Sequence, residues 1–132
     1  MDLLTVIDTH LLVWYFVGSK RLSSAVKDRI DEVRRRGRVI VPTIVLAEAL
    51  YLAEKERDVS GGSEDEILLD FDALYESLVE DPGFRIVGFD RAVLEETIAA
   101  CEVPELHDRI TAATSRIHDA ESLREDPEVE AG

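Results

Sequence analysis

Three short apolar, β-branched runs, Leu3–Ile7, residues 38–41 and residues 84–88, are separated by segments whose apolar side chains return every three or four positions. Runs of that length suit buried strands, and the segments between them are long enough to cross back over a sheet. Strand, helix and strand in repetition predict parallel strands joined by right-handed crossovers, with helices covering both faces. The expected fold class is α/β: a three-layer α/β/α arrangement with a short, mostly parallel central sheet flanked by helices.

The punctuation between the strands supports that order. After Asp8 and Thr9, an apolar stretch from Leu11 to Phe16 leads to Gly18. Ser23 and Ser24 then open a helix to Arg36 carrying Val26, Ile30 and Val33. Gly37 stands where a glycine past the last helical turn is favoured. Pro42 closes the second strand. Thr43 is placed to cap a helix to about Arg57, patterned by Ile44, Val45, Leu52 and Ala53. Residues 58–65, with Gly61 and Gly62, form a loop. A stripe of Ile67, Leu68, Phe71, Leu74, Tyr75, Leu78 and Val79 marks the next helix, which Pro82 and Gly83 end. Asp90 caps a helix from Arg91 to about Ala100, and Leu106, Ile110, Ala113 and Ile117 mark one more. The last dozen residues are polar and weakly patterned.

A chain of 132 residues with 45% hydrophobic content supports one compact core. A single cysteine, Cys101, cannot pair within the chain, and no Cys and His spacing matches a zinc site. No stretch approaches the roughly 20 apolar residues of a membrane span, and the N-terminus carries no basic leader. A cytoplasmic protein with no membrane association is the expectation. Charge constrains partners more sharply, because 29 acidic against 15 basic side chains give a formal net charge of −14. Such a surface repels nucleic acid as a whole. A high-salt cytoplasm or a tightly bound basic protein partner accounts for that acidity. Divalent cations invert the local sign where carboxylates converge.

Ligands of a parallel α/β sheet collect outside the carboxyl ends of the strands, which directs attention to the acids arriving there. Asp8 ends the first strand, as a helix cap or as a ligand. Glu48 has Ile44, Val45, Tyr51 and Leu52 as its helical neighbours, so it is expected in a buried stripe. There an ionised carboxylate needs a salt bridge to an arginine or a bound cation. Asp108 lies in the first turn of the last helix, expected to face away from Leu106, Ile110, Ala113 and Ile117 and toward Thr111, Ala112 and Ser115. The helix dipole alone suffices to explain an acid there. The three acids carry weight as a set.

As a set they resemble a known family. Residues 6–14 (Val-Ile-Asp-Thr-His-Leu-Leu-Val-Trp), 41–48 (Val-Pro-Thr-Ile-Val-Leu-Ala-Glu) and 105–114 (Glu-Leu-His-Asp-Arg-Ile-Thr-Ala-Ala-Thr) are similar to the three acidic motifs of PIN domains. The likeness is strongest to the VapC-type toxin ribonucleases of VapBC toxin-antitoxin modules. The resemblance covers nearly the whole chain and implies a PIN-like nuclease domain over residues 1–118. Residues 119–132 follow as an acidic C-terminal segment that corresponds to a degenerate last strand of the same domain. A fourth acid of the family falls, counted without gaps, on Asp126, where Arg124 replaces the usual Thr; Asp119 and Glu121 are the substitutes. The resemblance implies Asp8, Glu48, Asp108 and Asp126 as catalytic and metal ligands, and the first three are expected within a few ångströms of one another at the carboxyl edge of the sheet. It also implies Mg²⁺ or Mn²⁺ as cofactor, products with a 5′-phosphate and a 3′-hydroxyl, an RNA substrate, an antitoxin partner, a homodimer and no nucleotide cofactor. Hard carboxylate oxygens suit those ions on chemical grounds as well. The alternative is a catalytically degenerate PIN domain acting as a protein-binding module, motivated by the altered C-terminal motif.

The remaining conspicuous residues have plainer readings. Arg34, Arg35, Arg36 and Arg38 either grip phosphates or form a solvated face at a helix C-terminus, which favours cations; the second is preferred. His10 and His107 adjoin proposed ligands, and a metal-activated water makes neither necessary as a base. His118 and Asp119 are expected at the surface, and Trp14 and Tyr15 in the core or a dimer contact rather than under bases. A receiver-type signalling module also gathers acids around Mg²⁺. Neither the second nor the third strand supplies the phosphoacceptor Asp and the Lys it requires.

Overall fold

A computed structural model describes residues 3–60 and 69–123 of the chain. Among these residues four strands, β1 (Leu3–Ile7), β2 (Gly37–Pro42), β3 (Phe84–Val87) and β4 (Glu121–Leu123), form one parallel sheet in the order β3-β2-β1-β4. Among the described residues six helices connect them: α1 (Thr9–Val17), α2 (Ser24–Arg36), α3 (Thr43–Ser60), α4 (Phe71–Glu80), α5 (Arg91–Ala99) and α6 (Leu106–Ile117). The sheet and its flanking helices make the three-layer α/β/α architecture.

Burial on both faces explains the unbroken apolar runs. Ile7, Val39 and Val41 point into a core shared with Leu11, Ile30 and Leu74 from the helices, while Val6, Ile40 and Val87 form a second cluster on the opposite face. On that side α5 packs on α6, and α6 lies against β1, with Val93, Ile110 and Ala113 at the centre of the contact.

Side chains cap the helices as their residue types allow. Ser23, Asp70 and Asp90 accept hydrogen bonds from the N–H groups of Val26, Ala73 and Val93 at the starts of α2, α4 and α5. Gly18 ends α1 in the left-handed region at φ 71°. Gly37 differs from expectation, since its backbone is extended rather than left-handed. The requirement for glycine is instead a close approach: a Cβ there would fall on the Leu3 backbone, the first pair of the β1–β2 register.

Several boundaries differ from those expected. Residues 58–60 continue α3 rather than opening a loop, while the rest of the expected loop, together with Ile67 and Leu68, lies outside the described residues. Residues 121–123, whose polar sequence makes a poor buried strand, pair with Thr5, Val6 and Ile7 as β4. An edge strand needs only one ladder partner and tolerates a charged side chain, and Glu121 is tied to Arg29 of α2 at 2.8 Å. Arg34 is not part of a solvated face. It donates to Asp81 and to the Tyr15 hydroxyl, and its guanidinium lies 5.1 Å from the centre of the Phe84 ring. Tyr15 in turn donates to Asp31, and burial followed by that bond raises the phenol above its ordinary pKa. Trp14 packs against the core, as expected.

Candidate active site

Each of the three sequence-nominated acids reaches the carboxyl end of the sheet by a different local device. Asp8 follows β1 directly and caps α1, its Oδ1 accepting the Leu11 N–H at 2.9 Å. Capping and presentation at the sheet edge are therefore compatible, because the cap is itself the turn that leaves the strand.

Glu48 comes from α3, the helix after β2. Its Oε1 accepts a hydrogen bond from Thr9 Oγ1 at 3.0 Å, and its Oε2 lies 3.6 Å from Nδ1 of His107. The side chain is 32% exposed, not buried. Burial was expected from Tyr51 facing inward, whereas Tyr51 is 64% exposed and the inward side of α3 is Val45, Ala49 and Ala53. Glu48 stands at the border of that stripe. Among the described residues no arginine pairs with it.

Asp108 is exposed in the first turn of α6. The buried side of this helix is Ile110, Thr111, Ala113 and Thr114, while Leu106 and Ile117 face solvent. Threonine hydroxyls explain the rotation. Thr111 and Thr114 donate back to the carbonyls of His107 and Ile110, so their polar atoms are satisfied within the helix and their methyl groups pack as apolar surface.

These residues share a cleft of about 220 Å³, lined by Asp8, Thr9, Glu48, Glu105, His107 and Asp108 beside apolar Ile44 and Val45. Two of them carried no functional weight in the sequence. Thr9 reads there as an ordinary residue after a strand. Glu105 is the N-cap of α6, its Oε2 accepting the Asp108 N–H at 2.7 Å, and glutamate is not a favoured cap residue. Its position between Pro104 and the helical stripe is the one available signal. Burial works against ionisation of Glu105, but the backbone N–H groups of Asp108 and His107, with the imidazole beside them, outweigh it and hold the carboxyl below its usual pKa. A larger cavity, about 590 Å³, lies at the opposite end of the sheet among Asp28, Asp31, Arg34, Arg35 and Asp81. Its chemistry is spent internally, since Asp81 and Asp31 both lie against Arg34.

The cleft's donors are carboxylate oxygens, and no Lys or Arg is among the described residues lining it. That set fits a hard divalent cation in kind. As the side chains stand, no three His, Cys, Asp or Glu among the described residues are close enough together to hold one. Like-charged carboxylates draw fully together only when a cation offsets their repulsion. Of the nominated fourth acids, Asp126 lies outside the described residues. Asp119 turns the chain into β4 with φ 51°, Glu121 is engaged with Arg29, and neither lines the cleft. His10 lines it, whereas His118 does not.

A three-layer parallel α/β protein with acids gathered at the carboxyl ends of its central strands is the class that fold and cleft define. Residues 5–131 match the model of the PIN domain, and the chain belongs to that family. No curated protein sequence matches the chain. Among solved structures, the fold is similar to a chain in the crystal structure of VapBC2 from Rickettsia felis bound to a DNA fragment from their promoter. The TM-score is 0.62 at 12% sequence identity, with 98% of this chain and 92% of that chain covered.

Proposed function

We propose that the protein is a divalent-metal-dependent endoribonuclease and the toxin of a toxin-antitoxin pair. The observation that carries this reading is the single cleft at the carboxyl end of the sheet into which three separate elements bring Asp8, Glu48 and Asp108. Mg²⁺ or Mn²⁺ bound there supplies a Lewis acid that lowers the pKa of a bound water and offsets charge on the phosphate. Asp8, Glu48 and Asp108 would hold the ion, with Asp126 as the proposed fourth acid. Capping by Asp8 and by Glu105 fixes the two helix starts on which Asp8 and Asp108 sit. The surrounding negative charge repels an RNA backbone unless a cation is present, so binding of substrate and of metal are coupled. Residues 1–118 form the nuclease domain and 119–132 extend it.

The partner half of the proposal rests on the VapBC2 likeness and on charge: a surface at −14 suits a basic antitoxin. A homodimer belongs to the same reading, and Tyr51, Leu94 and Ile98 offer exposed apolar surface for it. A cytoplasmic location is part of it too; among the described residues no helix is long and apolar enough to cross a membrane. The test is cleavage of a mixed cellular RNA pool by purified, antitoxin-free protein with Mg²⁺ or Mn²⁺, against EDTA and against Asp8→Asn. Metal-dependent cutting lost in the variant is expected. Folded protein that fails to cut across salt concentrations would instead mark a degenerate PIN domain that only binds a partner, a reading favoured by the separation of the three acids.

A further inference from the structure

Resting on the nuclease reading, we propose that Thr9 is a positioning residue for Glu48, selecting through its hydroxyl how that carboxylate is presented to a metal ion. Thr9 is only 5% exposed and sits at the first position of α1, immediately after Asp8. Its Oγ1 reaches across 39 positions of sequence to Glu48 Oε1 on α3, at 3.0 Å. Glutamate has three side-chain torsions, and at 32% exposure the protein surface alone does not confine them. A buried threonine has one strongly restricted torsion, so the hydroxyl is a fixed donor at the end of a fixed backbone. Because Asp8 is itself held by the Leu11 N–H, one helix start sets two of the proposed ligands relative to each other. The donor is neutral. It therefore orients Glu48 without cancelling the negative charge a cation needs, which an Arg or Lys at the same place would do. Partners of this kind behind a metal ligand are worth about 10- to 100-fold in metal affinity or activity.

The experiment uses the full chain as Thr9→Val, which keeps the branch and removes the donor, and as Thr9→Ser, which keeps the donor. Mn²⁺ affinity is measured by titration calorimetry, RNA cleavage is followed across Mn²⁺ concentration, and circular dichroism melting confirms folding. Thr9→Val is expected to bind Mn²⁺ about 10- to 100-fold more weakly, with the half-maximal Mn²⁺ for cleavage shifted in step and the rate recovering at saturation. Thr9→Ser is expected to restore the wild-type affinity. A folded Thr9→Val with wild-type Mn²⁺ affinity overturns the proposal, as does a Thr9→Ser as weak as Thr9→Val. If Thr9→Val does not fold, Thr9→Ala is judged by the same criteria. Wild-type protein that neither binds Mn²⁺ nor cuts RNA overturns the nuclease reading and this inference with it, an outcome separate from failure of the variants.

Discussion

At the amino ends of β2 and β3, Arg34 is enclosed by Tyr15, Asp81 and Phe84, whereas at the carboxyl ends of β1 and β2 the acids Asp8, Glu48, Glu105 and Asp108 share a cleft that no described Lys or Arg lines. Both ends have cavities and charged groups. They differ in what answers the charge: an arginine at one end, and at the other backbone N–H groups, a threonine hydroxyl and the His107 imidazole. At the amino end Arg34 donates to fixed neighbours; burial works against ionisation of Asp81, but the Gly83 N–H, then the hydrogen bond and positive charge of Arg34, outweigh it and hold the carboxyl below its usual pKa. At the carboxyl end Asp8 accepts the Leu11 N–H and Glu48 the Thr9 hydroxyl, with the His107 imidazole 3.6 Å from Glu48 and 3.3 Å from Glu105. Acids held near one another without an arginine among them oppose compactness and are tolerated where a site needs them.

The contrast can be broken by substitution at either end. The largest effect is expected from Asp8→Asn, Glu48→Gln or Asp108→Asn. Each should lower RNA cleavage on the order of 10³-fold, the several kcal/mol a bound metal supplies to such a barrier. For exposed Asp108 the melting temperature should hold or rise, because a like charge has been removed; a fall in stability that matches the fall in activity would erase the distinction. Next comes Gly37→Ala, where the added methyl meets the Leu3 backbone. It should destabilise the fold by about 3 kcal/mol in urea unfolding.

Arg34→Met should cost about 2 kcal/mol, because it removes charged hydrogen bonds and the packing of a guanidinium on two aromatic rings, while cleavage by the folded fraction stays at the wild-type rate. A drop in catalytic rate in that variant would tie the two ends together. The smallest effect concerns pH. Since the Asp81 carboxyl is depressed in the folded state, its contribution is complete above the ordinary aspartate range and is lost as pH falls through the depressed value. Asp81→Asn should therefore narrow the difference in urea midpoint between neutral and acidic solution. An unchanged difference would show that the pair with Arg34 adds nothing to acid sensitivity.

Local patterning was sufficient for β1 and α2, whose expected bounds match those observed, because an unbroken apolar run stops at Asp8 in the first and helical spacing stops at Gly37 in the second. It placed Asp8, Glu48 and Asp108 at one end of a parallel sheet, since strand and helix order settle which end a residue reaches. What faced inward was less legible. Tyr51 and Leu106 count as core by hydropathy and stand in solvent, while Thr111 and Thr114 count as polar and are buried. The β4 edge strand was obscured for the same reason: its polar residues gain their place from pairing with β1 and from Arg29, not from their own preference.

By itself, then, the sequence determined the α/β class, the family likeness carried by its three acidic motifs and the three acids that line one cleft, because those follow from order, spacing and residue chemistry along the chain. Only the tertiary structure decided that Thr9 holds Glu48, that Glu105 and His107 line the same cleft, that Arg34 belongs to the scaffold and that Gly37 is needed for a close strand. Each of these depends on segments distant in sequence meeting in space, and periodicity carries no record of which partner a side chain will meet.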